Sequence, residues 1–183
     1  MEFLKFPKSV ILPTLENIED EKVKRIFEEY NRVFNELVTA IYSDVSWLHE
    51  KLTVEEGTWT MGISFNGGTT GITYSANTGY YTKIGNIVTI SGYMLLTSKG
   101  SSTGNAVITG LPFTVVNNTA GITAVTIYLQ NVTFANQFQG NTIQNGTTIE
   151  LSEVTEAGVP TTLTNADFTN NSVVIVNCTY RIE

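Results

Sequence analysis

None of the chain's 15 glycines precedes Gly57. From residue 14 to residue 56 there is no proline either, so that stretch holds neither a free hinge nor a residue barred from a helix interior. Beyond it glycine recurs throughout, as in a chain of short segments joined by turns. Charge divides at the same place. Residues 1–56 carry 7 of the 10 Lys and Arg and 12 of the 17 Asp and Glu, leaving 3 and 5 for residues 57–183. Two such compositions in 183 residues describe two structural regimes. The expected organisation is an elongated molecule with an opening segment over residues 1–16, a helix over 17–55 and a β-domain over 56–183.

Within the first regime apolar residues fall at Val23, Ile26, Tyr30, Val33, Leu37, Ile41, Val45, Leu48 and Leu52. Their mean spacing of about 3.6 lies closer to a straight helix than to a strict heptad. Phe27, Phe34 and Val38 widen the stripe. Asn17 is the expected N-cap, with Glu19, Asp20 and Glu21 in the first turn, where carboxylates suit the helix dipole. A lone helix of about 50 Å must cover its stripe on the β-domain or on copies of itself. The stripe runs the full length and stops at the composition boundary, which favours self-association. β-Branched residues, leucine and aromatics along the seam favour three strands over two.

After Gly57 the period changes to two. Val174, Val176, Cys178, Tyr180 and Ile182 share one side of a strand, with Asn177, Thr179 and Arg181 on the other. Val88, Ile90, Met94 and Leu96 do the same in a second strand. Gly85-Asn86 and Asn145-Gly146 are turn dipeptides, the latter giving a strong hairpin signal over residues 142–151. Short strands between Gly, Asn, Ser and Thr turns predict an antiparallel β-sandwich or jelly roll, so the chain as a whole is mainly β with one long amino-terminal helix.

The residues offer little chemistry. A net charge of −7 disfavours a nucleic-acid partner. No stretch reaches membrane-spanning length, and the opening segment (Glu2, Lys5, Pro7, Lys8, Pro13) lacks the apolar run of a secretory signal, so cytosolic synthesis without membrane insertion is expected. The lone Cys178 forms no intrachain disulfide and reads as a buried thiol. His49, the one histidine, falls in the helix, away from any cysteine or acidic cluster with metal-ligand spacing. Glu150, Glu153 and Glu156 read as a solvated edge and loop rather than a hydrolytic pair. Neither enzyme activity nor a cofactor or metal is expected. Tyr and Trp rings beside Asn, Ser, Thr and Gln suit sugar binding, and suit equally a β-domain kept hydrophilic without charge. Trp59, Tyr74 and Phe113 are assigned to the core, and no residue is singled out as a receptor contact.

Several segments nonetheless form a familiar set: EGTWT (residues 56–60), GGTTGITYS (67–75), TGYYTKIGN (78–86) with VTISGY (88–93), TSKGSSTG (97–104) and ITGLPF (108–113). Over residues 56–115 the chain resembles carboxy-terminal modules of bacteriophage tail-fibre and related virion fibre proteins. Met61 is a departure, since related segments often have proline there. The resemblance implies a homotrimeric β-head on a helical stem, a place on the virion, attachment to other virion proteins through residues 1–16, and recognition of host-surface glycans by the head. A head fibre or capsid decoration protein without receptor binding is the alternative, and a bacterial lectin built on such a module a third reading.

Overall fold

The computed structural model describes residues 20–183, the side chains of residues 50–52 excepted. It divides into two compact units that meet in sequence between Thr53 and Val54. The segment expected to act as an anchor, residues 1–16, lies outside the described residues.

The first unit is a single helix, α1 (Glu21–Leu52, 32 residues), about 48 Å long at 1.5 Å per residue. Asp20, not Asn17, caps it, and Asn17 itself lies outside the described residues. The Asp20 backbone is extended and its carboxylate accepts from the Lys22 N–H at 2.8 Å. A charged acceptor there meets both an orphan donor and the positive end of the helix. Arg32 bridges Glu29 at 2.6 Å and Glu36 at 2.7 Å, one turn to either side. At the other end the Thr53 hydroxyl donates to the His49 carbonyl at 2.8 Å, and extended geometry at Thr53 stops the helix.

The second unit is a nearly closed antiparallel barrel. Its strands are β1 (Val54–Thr60), β2 (Gly62–Phe65), β3 (Ile72–Ile84), β4 (Ile87–Lys99), β5 (Ala106–Thr109), β6 (Ala124–Val132), β7 (Gln137–Thr142), β8 (Thr148–Val154), β9 (Pro160–Thr162) and β10 (Phe168–Arg181). They follow the order β1-β3-β4-β10-β6-β7-β8-β5-β2, with β9 on the side of β8. The unit starts ahead of Gly57 because Val54, Glu55 and Glu56 already pair with Ile84, Lys83 and Thr82. β6 is one corner: Thr126 to Gln130 pair with β10, whereas Ala124 and Val125 pair with β7. The chain itself makes the other corner, passing from β1 to β2 through Met61.

The alternation read from sequence holds in the long strands. Val88, Ile90, Met94 and Leu96 of β4 and Val174, Val176, Cys178 and Tyr180 of β10 point into the barrel and are buried. β1 and β2 behave as one alternating run across their corner, for Trp59, Met61, Ile63 and Phe65 are all buried. Each such side chain contributes about 1.5–3 kcal/mol of transfer free energy. Met61 also donates its N–H to the Asn77 carbonyl at 3.1 Å. Proline could not make that bond, which gives this departure from the fibre-like pattern a structural role.

Two glycines make room for Trp59. Gly79 on β3 and Gly92 on β4 are cross-strand partners, and the indole lies across both. A Cβ on Gly92 would stand 2.7 Å from Trp59 Cζ2 and 3.0 Å from Met61 Sδ. The Trp59 indole N–H then donates to the Ser91 carbonyl at 3.0 Å. Phe113 and Tyr74, assigned to the core with Trp59, pack against it while only partly buried. Tyr180 bridges the loop after β5, donating its hydroxyl to the Phe113 carbonyl at 3.1 Å and accepting from the Phe113 N–H at 3.3 Å.

The two predicted turns differ. Gly85-Asn86 joins β3 directly to β4, with Gly85 at a φ of 56° that suits a tight hairpin. Asn145-Gly146 sits inside a longer connection, residues 143–147, between β7 and β8. The loop is widened by Val115, whose carbonyl accepts from the Asn145 N–H and whose N–H donates to the Gly146 carbonyl, both at 3.0 Å. The expected hairpin is present, with Thr142 opposite Ile149, and a contact thirty residues away in sequence adds to its turn.

Gly92→Ala should lower unfolding stability by about 1–3 kcal/mol through overpacking against the indole, with a changed Trp59 emission; denaturant titration followed by fluorescence checks both. Tyr180→Phe should cost a comparable ~1–3 kcal/mol, because two backbone groups of Phe113 lose their partner.

Candidate interaction surfaces

Two surfaces in the described residues combine apolar exposure with a regular pattern. The first is on α1. Val23, Ile26, Tyr30, Val33, Leu37, Ile41, Val45 and Leu48 are all exposed within their unit, Tyr30 at 71% and Leu37 at 56%. Leu52 completes the expected stripe, but its side chain lies outside the described residues. Phe34 is exposed beside them, and Phe27 and Val38 are half-buried. At 3.6 residues per turn these positions cover about 140° of the helix circumference. Glu29, Arg32 and Glu36 occupy the far side, where the Arg32 guanidinium holds the Glu29 carboxyl below the usual range. Trp47 and Tyr42, also exposed, flank the stripe and were missed in the sequence because they fall between its spacings.

The second surface is the outward face of β1-β3-β4-β10-β6, where strand register brings distant residues into rows. Val54, Ile84 and Ile87 form one row with Arg181. Thr58, Tyr80, Ser91, Asn177 and Thr126 form another. Next to it stand Thr60, Thr78, Tyr93, Ile175 and Tyr128. Tyr80 is 66% exposed, Val54 55% and Tyr128 53%. The Thr89 and Thr179 hydroxyls meet across β4 and β10 at 2.8 Å. A shallow groove of about 120 Å³ lies along Tyr80, Thr82, Thr89, Ser91 and Asn177. Of the outward-facing side chains of these five strands, only those of Glu56 and Arg181 carry charge.

Charge in this unit is placed for structure instead. At the start of β1, Glu55 accepts from Lys83 Nζ at 2.8 Å and from the Tyr81 hydroxyl at 3.1 Å. The Lys83 ammonium also stands 5.3 Å from the centre of the Phe113 ring, and Tyr81 meets that ring edge-on at 5.2 Å. The hydrogen bond from Lys83, then that from Tyr81, hold the Glu55 carboxyl below the ordinary value of 4.5. Of the acids read from sequence as a solvated edge and loop, Glu150 and Glu153 are differently placed. β8 is an interior strand paired to β7 and β5; Glu150 accepts from the Thr162 hydroxyl at 3.2 Å, and Glu153 from the Ala135 N–H. Glu156 is exposed in the following loop. Cys178 is buried, and desolvation pushes its thiol up to about 11. His49 is exposed on α1. Among the described residues no three His, Cys, Asp or Glu side chains converge as a metal site, and no helix is long and apolar enough to cross a membrane.

Compared with known proteins, the chain matches no family model and no curated protein.

The Glu55 cluster carries a pH signature. A carboxyl with a depressed folded-state pKa stabilises the fold above its ordinary pKa, and the contribution is lost as pH falls through the folded value. Glu55→Gln should therefore lower the urea midpoint at neutral pH. The gap between variant and wild type should close on acidification below the usual glutamate range.

Proposed function

We propose that this chain is the subunit of a trimeric bacteriophage fibre, with α1 as a coiled-coil stem and the β-barrel unit as a head that meets the host surface. The observation that carries this reading is the apolar stripe of α1. About 140° of arc is wider than the narrow seam of a two-stranded coiled coil and suits a three-stranded one. Leaving eight large apolar side chains in water along one helix is costly, and parallel copies remove that cost. The fibre-like segments between residues 56 and 115 supply the setting on a virion, with residues 1–16 as the attachment to other virion proteins. The Asn, Thr, Ser and Gln side chains that dominate the barrel's composition supply the chemistry for a neutral glycan on the host.

A second reading, a head-fibre or capsid decoration protein without a receptor, is favoured by one observation. The groove beside Tyr80, about 120 Å³, is smaller than the roughly 300–1,000 Å³ of an ordinary ligand cleft.

Light scattering on the purified chain should give three times the mass of one chain. Leu37→Asp should shift that mass toward monomer, since each carboxylate buried in the seam costs about 3–5 kcal/mol, while leaving the circular dichroism of the barrel intact. A monomeric wild type refutes the stem. Binding to host cells or to a glycan array separates the two readings, and trimers that bind neither point to the decoration protein.

A further inference from the structure

We infer that the outward face of β1-β3-β4-β10-β6 is where the barrel units of neighbouring copies of this chain meet. The inference rests on the proposal that α1 self-associates, and it assigns to a second copy a surface that sequence and fold leave uncovered.

Three properties of the face select that occupant. The first is charge. The chain carries −7, yet this face offers only Glu56 and Arg181, of opposite sign. A basic or acidic partner finds nothing to pair with, whereas an identical copy meets no repulsion. The second is the nature of the rows. Exposed Val54, Ile84 and Ile87 lie at one end, and exposed Tyr93, Ile175 and Tyr128 toward the other. Between them stand hydroxyls and the Asn177 amide, which donate and accept alike and so can pair with their own kind. Apolar patches rich in tyrosine and poor in charge are the composition of interface cores.

The third is size and continuity. Ile87 and Tyr93 are six residues apart along β4, about 20 Å, and five strands span about 19 Å. That is on the order of 400 Å², about half of what a stable interface takes from each partner. The stripe of α1, about 48 Å by 10 Å, supplies a similar area. The apolar row begins at Val54, the residue after the one that ends the helix. Helices that associate thus deliver Val54 of each copy to within two residues of Leu52, where the shared seam ends. A saccharide alone would leave both apolar rows in water.

The test uses the full chain with single introduced thiols. Ser91→Cys lies on this face. Gln139→Cys is exposed on β7, in the other half of the barrel, and serves as control. Cys178 is buried and stays unreactive. With a short bis-maleimide, Ser91→Cys should give linked dimers, two chains per trimer, and Gln139→Cys none. Adding Ile175→Arg should lower the linked fraction by about tenfold, as an unpaired charge at an interface does, while light scattering still reports a trimer held by α1. A trimer in which Ser91→Cys does not link, or links no more than Gln139→Cys, overturns this inference and leaves the stem standing. A monomeric mass overturns both. A neutral saccharide that protects the introduced thiol of the Ser91→Cys trimer from a monofunctional maleimide would show the face open to ligand and also overturn it.

Discussion

The barrel closes around an indole lying where two side chains are missing. Gly79 and Gly92 face each other across β3 and β4, and their bare backbones let Trp59 lie flat and reach the Ser91 carbonyl. From that contact the chain turns the corner at Met61 with its alternation unbroken, so one run of residues seals both halves of the barrel. Because the glycine pair sits in the middle of two long strands, the slot also holds β3 and β4 in register. The outward rows on those strands depend on it, since a slip of one residue would turn each tyrosine inward.

The periodicities that survive from sequence to structure are the local ones. The stripe of α1 and the inward sets of β4 and β10 are visible because a side chain's face depends only on its neighbours along the chain. Partnership between strands is not local. Thr89 meets Thr179 ninety positions away, and nothing in either segment names the other. For that reason the second surface was legible only as composition: Tyr93, Ile175 and Tyr128 are ordinary singly and become a row through register. The same gap explains three differences in detail. Val115 reaches into the loop at Asn145-Gly146, β7 and β5 flank Glu150 on β8, and Asp20 takes the cap because its carboxylate meets the free Lys22 N–H. Met61, noticed in the sequence as a departure, acquires its reason only when Asn77 is placed opposite.

The two units carry opposite solutions to the same problem of apolar area. α1 gathers most of its charges on one side and leaves the other exposed within its own unit. The barrel buries most of its apolar residues internally and presents hydroxyls and amides with a few exposed rows of tyrosine and aliphatic side chains. In the proposed fibre the stripe and the barrel's outward rows would build contacts between subunits, and the rest of the barrel surface would stay free of them. The proposed meeting of barrel units on their outward face sets a boundary between these roles, leaving the loops and the other half of the barrel to contact anything outside.

The scarcity of ionisable groups in the barrel has an environmental meaning. Glu55 and Lys83 form the one ion pair among its described residues, and the single thiol is buried with no disulfide to reduce. Acid, dilution, salt and reducing agents act on proteins mainly through charges and sulfur. A unit held mainly by packing and by hydrogen bonds between uncharged groups offers them few points of attack. It is insulated from its surroundings, as a part that must keep its shape in water of any composition would need to be.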